Sequence, residues 1–190
     1  MTEAARARMT SAAFIAWAMQ RPRGQRWELV AGEPVAMAPE RSAHALAKGT
    51  VFRRLAEAIE AAGLPCTAYP DGMAVTIDDA TTCEPDALVR CGAPLPDDAV
   101  TVTDPVIIVE VLSPSIRARD AGAKLEDYFR LPSLRHYLIV KTENRSVIHH
   151  ARREDGDIAT RIIRADFRED GPILLDPPGL VLPALFARPA

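Results

Sequence analysis

The most continuous apolar stretch of the chain is VIIVEVL, which ends at Leu112. Its Val and Ile content predicts a strand over residues 105–112 that lies in the middle of a sheet and is covered on both faces. This strand nevertheless carries a glutamate, Glu110, near its end. A carboxylate at a buried position is strongly unfavourable unless a partner compensates its charge. The pattern therefore predicts a central strand together with a compensating group for Glu110.

Apolar residues recur with a helical period in three other stretches. In the first, Thr10 is placed to cap a short amphipathic helix. A second helix is predicted over residues 42–62, with Ser42 as its cap and Gly63 at its end. Its inward residues are Leu46, Leu55 and Ile59. A third helix is predicted over residues 117–130. Its buried stripe comprises Ala118, Ala121, Leu125, Tyr128 and Phe129.

Short segments rich in β-branched residues predict the remaining strands. The segment RWELVAGEPVAM predicts a β-hairpin that turns at Ala31 and Gly32. Strands are also predicted at CTAY, MAVTI, DALVR, HYLIV, SVIHHA and IATRII, with turns at PDG, DDATT, ENR and DGD. This order indicates an α/β fold in which helices pack on one mixed sheet. We expect a single domain over residues 1–190, with residues 1–9 as a flexible N-terminal tail.

Composition narrows the class of protein. The 190 residues are 48% hydrophobic and 26% charged, as in ordinary globular domains. No apolar stretch approaches the length of about 18 residues that spans a membrane. The net charge of −3 does not indicate the basic surface of a typical nucleic-acid-binding protein.

Three cysteines without a CxxC pair indicate neither a disulfide framework nor a zinc site, so we expect a reducing, cytoplasmic location. Cys83 and Cys91 are interpreted as small buried residues.

Two acidic residues stand at the ends of predicted strands. Asp86 follows a proline at the start of one strand, and Glu110 lies near the end of another, 24 positions later. If these strands pair, both carboxylates meet at one end of the sheet. Two hard oxygen ligands at one point form a site for Mg²⁺ or Mn²⁺, which would also compensate the charge of Glu110. On the third helix, Asp120, Lys124 and Tyr128 follow one another along one edge.

Several segments occur in an order that resembles the Uma-type family of putative restriction endonucleases. They are WELVAGEPVAM, EPDALV, DPVIIVEVLSPS, DAGAKLEDYFRL and HYLIV, together with His44. This family is part of the PD-(D/E)XK nuclease superfamily, and the resemblance covers residues 10–185. It implies a restriction-endonuclease-like mixed β-sheet flanked by helices. It also implies that Asp86, Glu110 and the carbonyl of Val111 hold Mg²⁺ or Mn²⁺, and that the protein hydrolyses phosphodiester bonds in DNA.

One position departs from the superfamily pattern. A lysine normally stands two positions after the glutamate, whereas this chain has Leu112 there. Relatives with this gap look as though the lysine has moved to the following helix, where Lys124 is the candidate. We then expect Lys124→Met to lower metal-dependent cleavage by orders of magnitude and to leave stability nearly unchanged. If Lys124 has no such role, the chain is a catalytically degenerate nuclease fold that acts as a binding or assembly module.

The candidate residues also have structural explanations. Asp86 alone is explained by a backbone hydrogen bond at the start of a strand, and Glu110 by an arginine partner. Lys124 with Asp120 is a common helical pair. His44, in the first turn of its helix, is either a site residue or a solvated surface residue.

Other features complete the set of expectations. Tyr128 and Asp120 are possible additional site residues, and so is one acid of the early hairpin, Glu28 or Glu33, with Glu33 included as the weaker candidate.

The histidines of the later strands are not expected to form a site. His149 and His150 are adjacent on one strand and therefore point to opposite faces, and His136 has no identifiable partner. The apolar C-terminal segment ILLDPPGLVLPALF predicts a homodimer.

Overall fold

The structure is a computed structural model that describes residues 8–22, 24–112, 118–164, 172–183 and 185. For residues 118–121 it describes the backbone alone. Asp120 is therefore a predicted site residue whose side chain lies outside this description, and the same holds for Ala118 and Ala121 of the predicted stripe.

Three helices form where the apolar period predicts them. They are α1 (Ser11–Ala18), α2 (Ser42–Ala62) and α3 (Ala118–Phe129). The Thr10 hydroxyl accepts a hydrogen bond from the Ala13 amide at 3.2 Å, which confirms the predicted cap of α1. Gly63 ends α2 in the left-handed conformation, with φ of 60°. The predicted Ser42 cap is wrong: the extended capping residue is Arg41, one position earlier, so Ser42 is already helical.

The strands form two larger sheets and a separate hairpin. The five-stranded sheet has the order β2-β1-β5-β4-β7. Its strands are β1 (Trp27–Val30), β2 (Glu33–Ala36), β4 (Ala74–Asp78), β5 (Thr81–Cys83) and β7 (Thr101–Val102). The six-stranded sheet has the order β11-β10-β9-β8-β6-β3. Its strands are β3 (Cys66–Pro70), β6 (Ala87–Cys91), β8 (Ile107–Leu112), β9 (His136–Lys141), β10 (Ser146–Arg152) and β11 (Ile158–Arg164). The hairpin comprises β12 (Ile173–Leu175) and β13 (Leu180–Leu182).

The expectation of one mixed sheet is therefore wrong in the number of sheets, although the α/β class is confirmed. The difference arises at Thr81–Cys83, part of which was assigned to a turn. This segment forms β5, which pairs with both β1 and β4 and so draws the N-terminal hairpin into a sheet of its own.

Alternating residues divide the core between the two faces of the six-stranded sheet. On one face, Leu55 and Ile59 of α2 pack in a cluster with Val109 of β8. On the other face, Tyr128 of α3 packs in a cluster with Ile108. The inward position predicted for Leu46 is wrong, because this side chain is 73% exposed. Near its start, α2 buries His44 and Lys48 instead.

Strand pairing brings the two predicted acids together. β6 runs antiparallel to β8 with Ala87 opposite Val109, and β8 runs parallel to β9 over its whole length. Asp86 and Glu110 each lie one residue from the Ala87–Val109 pair, so they stand beside each other at one end of the sheet. The expectation that their strands are neighbours is confirmed.

Two of the three cysteines are bonded. Cys66 and Cys91 face each other across β3 and β6 and form a disulfide, so the expectation of no disulfide is wrong. No local pattern predicts this bond, because it joins residues 25 positions apart through strand register. Cys83 is buried and free, as expected. Disulfides are rare in reducing compartments, so the cysteines no longer support a cytoplasmic location, which stays a prediction.

The N-terminal residues that the structure describes contact the early hairpin. The Met9 amide donates to the Gly32 carbonyl at 2.8 Å. Gly32 has φ of 83°, and a Cβ there would lie 2.7 Å from the Arg8 Cβ, so the turn requires glycine. For residues 1–7, the predicted flexible tail lies outside the described residues. No helix in the described part of the chain is long and apolar enough to cross a membrane.

Arg152 of β10 fixes the end of α3. Its guanidinium donates to the carbonyls of Phe129 at 2.5 Å, Leu131 at 3.2 Å and Leu134 at 3.0 Å. These bonds satisfy carbonyls at and beyond the C-terminus of the helix, which have no partner within it. They anchor α3 against the six-stranded sheet.

Candidate active site

Asp86 lies just before β6 and is bound to the backbone of β8. Its Oδ2 accepts a hydrogen bond from the Val111 amide at 2.6 Å, and the residue is 6% exposed. The predicted alternative, a backbone hydrogen bond at the start of a strand, is thus part of the arrangement. The bond also fixes the carboxylate beside Glu110, so it does not exclude a role in binding an ion.

Glu110 accepts hydrogen bonds from two side chains of α3. Its Oε1 accepts from the Lys124 ammonium at 3.0 Å and from the Tyr128 hydroxyl at 2.8 Å. Burial raises the pKa of Glu110; the Lys124 ammonium opposes this effect, and the carboxylates of Asp86 and Glu28 reinforce it. Two donors therefore do not fully offset the burial of this acid.

Lys124 stands between two acids from different strands. Its ammonium lies 3.0 Å from Glu110 Oε1 and 2.9 Å from Glu28 Oε1. Burial alone would lower the pKa of Lys124, but the charges of Glu110 and Glu28 outweigh this and raise it well above its usual value. Lys124 is therefore a fixed positive charge at neutral pH. Its partners are these acids of β8 and β1.

His44 of α2 approaches the same strand end from the other side. Its Nε2 donates to the Val111 carbonyl at 2.5 Å and lies 3.8 Å from Asp86 Oδ2. Its Nδ1 lies 3.5 Å from Glu40 Oε2. The residue is 9% exposed, so the interpretation as a solvated surface residue is wrong.

Lys48, one turn after His44 on α2, is a site residue that the sequence did not indicate. Its ammonium lies 3.1 Å from Asp86 Oδ1 and 2.6 Å from Asp71 Oδ2, and it also contacts Glu40. Burial would lower the pKa of Lys48, but the hydrogen bonds to Asp71 and Glu40 outweigh this and raise it. The i, i+4 spacing from His44 was the available signal, since such residues share a helix face.

Arg26 joins the remaining acids to this network. Its guanidinium pairs with Glu40 at 3.1 Å, Asp71 at 2.9 Å and Glu84 at 2.5 Å. The Glu84 amide in turn donates to Glu28 Oε1 at 3.0 Å.

Of the two hairpin acids, Glu28 is the one that reaches the site. Glu33 is exposed at the start of β2, opposite Val30, and no contact within the described residues joins it to the network. The choice of Glu33 as a possible site residue is therefore not supported by its position.

The network carries more negative than positive charge. Among the described residues, six carboxylates take part, namely Glu28, Glu40, Asp71, Glu84, Asp86 and Glu110. The cationic side chains are three, Arg26, Lys48 and Lys124. This excess, together with the raised pKa of Glu110, favours binding of a further cation.

The donor chemistry also suits a hard divalent ion. Asp86, Glu110 and the Val111 carbonyl supply oxygen ligands of the kind that Mg²⁺ and Mn²⁺ prefer. In the described part of the chain, no group of three or more His, Cys, Asp or Glu side chains is placed to hold a metal ion. The predicted set has only two such side chains, and its third donor is a backbone carbonyl. The residues thus fit the implied ion, with the Val111 carbonyl at present bonded to His44.

The position of the missing lysine contributes no charge. Leu112 is partly buried and packs against the cluster that contains Tyr128.

A cavity of about 410 Å³ opens at the Arg26 end of the network, with Asp71, Glu84 and Trp27 in its wall.

Comparisons with known proteins agree with this fold. A solved structure, described as a putative nuclease belonging to DUF820 from Anabaena variabilis, superposes with a TM-score of 0.74 and 13% identity, covering 94% of this chain and 97% of that one. An uncharacterized protein of Synechocystis sp., slr1290, is 37% identical over 76 residues, which span 40% of each chain. The model of the Uma2 family, described as putative restriction endonucleases, matches residues 12–183. Because this match covers nearly the whole sequence, the chain belongs to the Uma2 family of putative restriction endonucleases.

Proposed function

We propose that the protein is a metal-dependent endonuclease that hydrolyses phosphodiester bonds in DNA. The observation that carries this proposal is the meeting of Asp86 and Glu110 at one sheet end, with the Lys124 ammonium 3.0 Å from Glu110. Mg²⁺ or Mn²⁺ would be held by these two carboxylates and the Val111 carbonyl.

Each residue then has a defined task. Asp86, Glu110 and the Val111 carbonyl would hold a divalent ion, which would supply neutralisation of the charge on the scissile phosphate. Asp86 is held in orientation by the Val111 amide, and Glu110 by Tyr128. Lys124, fixed by Glu110 and a second acid, offers a preorganised positive charge to the negative charge that develops during hydrolysis. Lys124 thereby takes the role of the strand lysine that this chain lacks.

The test combines Mn²⁺ titration calorimetry with nicking of supercoiled plasmid. We expect the wild type to bind Mn²⁺ and nick DNA, and Asp86→Ala and Glu110→Gln to lose both properties. Asp104→Asn is the matched control, because Asp104 also precedes β8 but pairs with Arg90 outside the network. Mn²⁺ binding that survives alanine substitution of both Asp86 and Glu110 would contradict the proposal.

A second candidate function is a nuclease-fold module that binds or assembles without catalysis. Leu112 in the lysine position and the acidic balance of the chain favour it. This candidate predicts that purified wild type shows no metal-dependent cleavage and does not differ from Asp86→Ala.

We also propose that the protein is a homodimer. Leu174 and Val181 face each other across the β12–β13 hairpin and are 54% and 52% exposed. Ile162, on the edge strand β11, is 59% exposed. Apolar side chains exposed on outer strands are typical of surfaces that a partner covers.

A further inference from the structure

Lys48 occupies an unusual place for a lysine. It is 4% exposed on the buried face of α2, whereas lysine side chains normally reach solvent. Its ammonium contacts three carboxylates, those of Glu40, Asp71 and Asp86. An ammonium has three donors, so each of its N–H groups has an acceptor here. The three carboxylates thus surround one cation, and that cation is the ammonium of Lys48 itself.

The acceptors of Lys48 are those that a hard divalent ion prefers. They come from three separate segments: the loop before α2, the turn between β3 and β4, and the residue before β6. With Lys48 in place, no group of three such side chains in the described residues is arranged to hold a metal ion. Without the ammonium, the carboxylates of Glu40, Asp71 and Asp86 would be left around one point, as oxygen donors of the kind that Mg²⁺ and Mn²⁺ prefer.

Asp86 is shared between this cluster and the proposed ion site. Its Oδ1 faces Lys48, while Oδ2 is bonded to the Val111 amide beside Glu110. In two-metal phosphodiesterases, two ions lie about 3.5–4 Å apart and act together on the phosphate. In this protein, Lys48 stands on the side of Asp86 where a second ion would share that carboxylate.

We propose that the Lys48 ammonium replaces a second divalent ion, so that the site takes up one ion only. The part of this inference that concerns the first ion rests on the proposed function. Lys48 acts here as a positioning residue, because it holds Asp86 and contributes a charge that does not depend on the metal concentration.

The experiment counts Mn²⁺ ions bound per chain by calorimetry in the wild type, in Lys48→Gln, and in Lys48→Gln combined with Asp71→Asn. Removal of the ammonium is expected to raise the count by one relative to wild type. The added Asp71→Asn change removes one of the three carboxylates and is expected to return the count to the wild-type value. Lys48→Arg keeps the charge and is expected to match the wild type.

The difference in the number of bound Mn²⁺ ions between Lys48→Gln and the wild type tests this inference separately from the proposed function. A wild type that binds no Mn²⁺ while Lys48→Gln binds one supports the role of Lys48 and refutes the ion at Asp86 and Glu110. Equal counts in the two proteins, or two ions in the wild type, would overturn the inference. Thermal unfolding gives a second measurement: Mn²⁺ should raise the Tm of Lys48→Gln more than that of the wild type, and equal shifts would overturn the inference as well.

Discussion

At the scale of single residues, the partners of Lys124 change what its substitution should do. A pair between Lys124 and Asp120 on the helix surface would be worth well under about 1 kcal/mol. The partners that the structure describes are Glu110 and Glu28, which are only 10% and 13% exposed in their side chains. Removal of the ammonium therefore leaves two largely buried carboxylates without their cation.

We accordingly expect Lys124→Met to lower the free energy of unfolding by about 1–3 kcal/mol. Loss of one partner from a fully buried ion pair costs about 3–5 kcal/mol, and Lys124 retains 22% side-chain exposure, so its loss should cost less. Metal-dependent cleavage should fall by orders of magnitude, because the preorganised charge is lost. Urea unfolding and plasmid nicking provide the two measurements.

Lys141→Met is the control for this change, since Lys141 lies at the end of β9 outside the network. Lys141→Met should change neither the free energy of unfolding nor the rate of plasmid nicking. Full nicking activity in Lys124→Met together with lowered stability would show that Lys124 is structural.

Site residues were predictable from the sequence where their local surroundings made them unusual, and were not predictable where only the fold brings them to the site. Asp86 and Glu110 were predictable because their strands are apolar, which makes an acid conspicuous. Lys48 was not, and Glu28 could not be preferred to Glu33, because each is an ordinary charged residue until strand register and helix rotation bring it to the network. The Lys124–Glu28 contact joins residues 96 positions apart.

At the scale of elements, local signals located the helices, with the Ser42 cap one residue off, whereas the pairing of distant strands was predicted only for β6 and β8. The Thr10 cap and the Gly63 stop depend on neighbouring residues, and both were predicted. The division into two sheets and the Cys66–Cys91 bond depend on which strands pair, which no local pattern determines.

A chain of imidazoles links β9, β10 and β11 to the C-terminal hairpin. His136 Nε2 donates to the Pro177 carbonyl at 3.0 Å, and His136 Nδ1 therefore accepts from His149 Nε2 at 2.9 Å. His149 Nδ1 accepts from Arg161 Nε at 3.3 Å. Both rings are neutral in this arrangement. Burial, reinforced by the nearby His136 and Arg161, lowers the pKa of His149 to about 3.

This chain of imidazoles predicts a stability that falls with decreasing pH. Between the usual pKa of 6.5 and about 3, the unfolded chain binds a proton at His149 that the folded protein excludes. The free energy of unfolding should therefore decrease as pH falls through this range, with a His149 contribution approaching about 1.4 kcal/mol per pH unit. His149→Gln removes the titrating group, so its pH profile should be flatter. Urea unfolding between pH 4 and pH 8 tests this, and identical slopes in the two proteins would contradict it.

At the scale of the whole molecule, the outer apolar residues predict a dimer. Light scattering at micromolar concentration should give twice the chain mass of 20.7 kDa. Leu174→Glu combined with Val181→Glu should give the monomer, because a charge in an apolar interface is strongly unfavourable. Leu46→Glu is the control: Leu46 is also exposed but lies on α2, and this variant should remain dimeric. A monomer mass for the wild type would refute the dimer.

Two of the three positive charges of this site, those of Lys48 and Lys124, lie on helices, while the two carboxylates proposed to hold the ion lie beside or within strands. A side chain on a helix can be exchanged without disturbing the hydrogen-bond ladder of the sheet, so evolution can relocate a lysine here at little risk to folding. A sequence search that demands a lysine two residues after the strand glutamate would pass over this chain. A search criterion that accepts a lysine on either flanking helix, within reach of the strand-end carboxylates, would group it with its relatives.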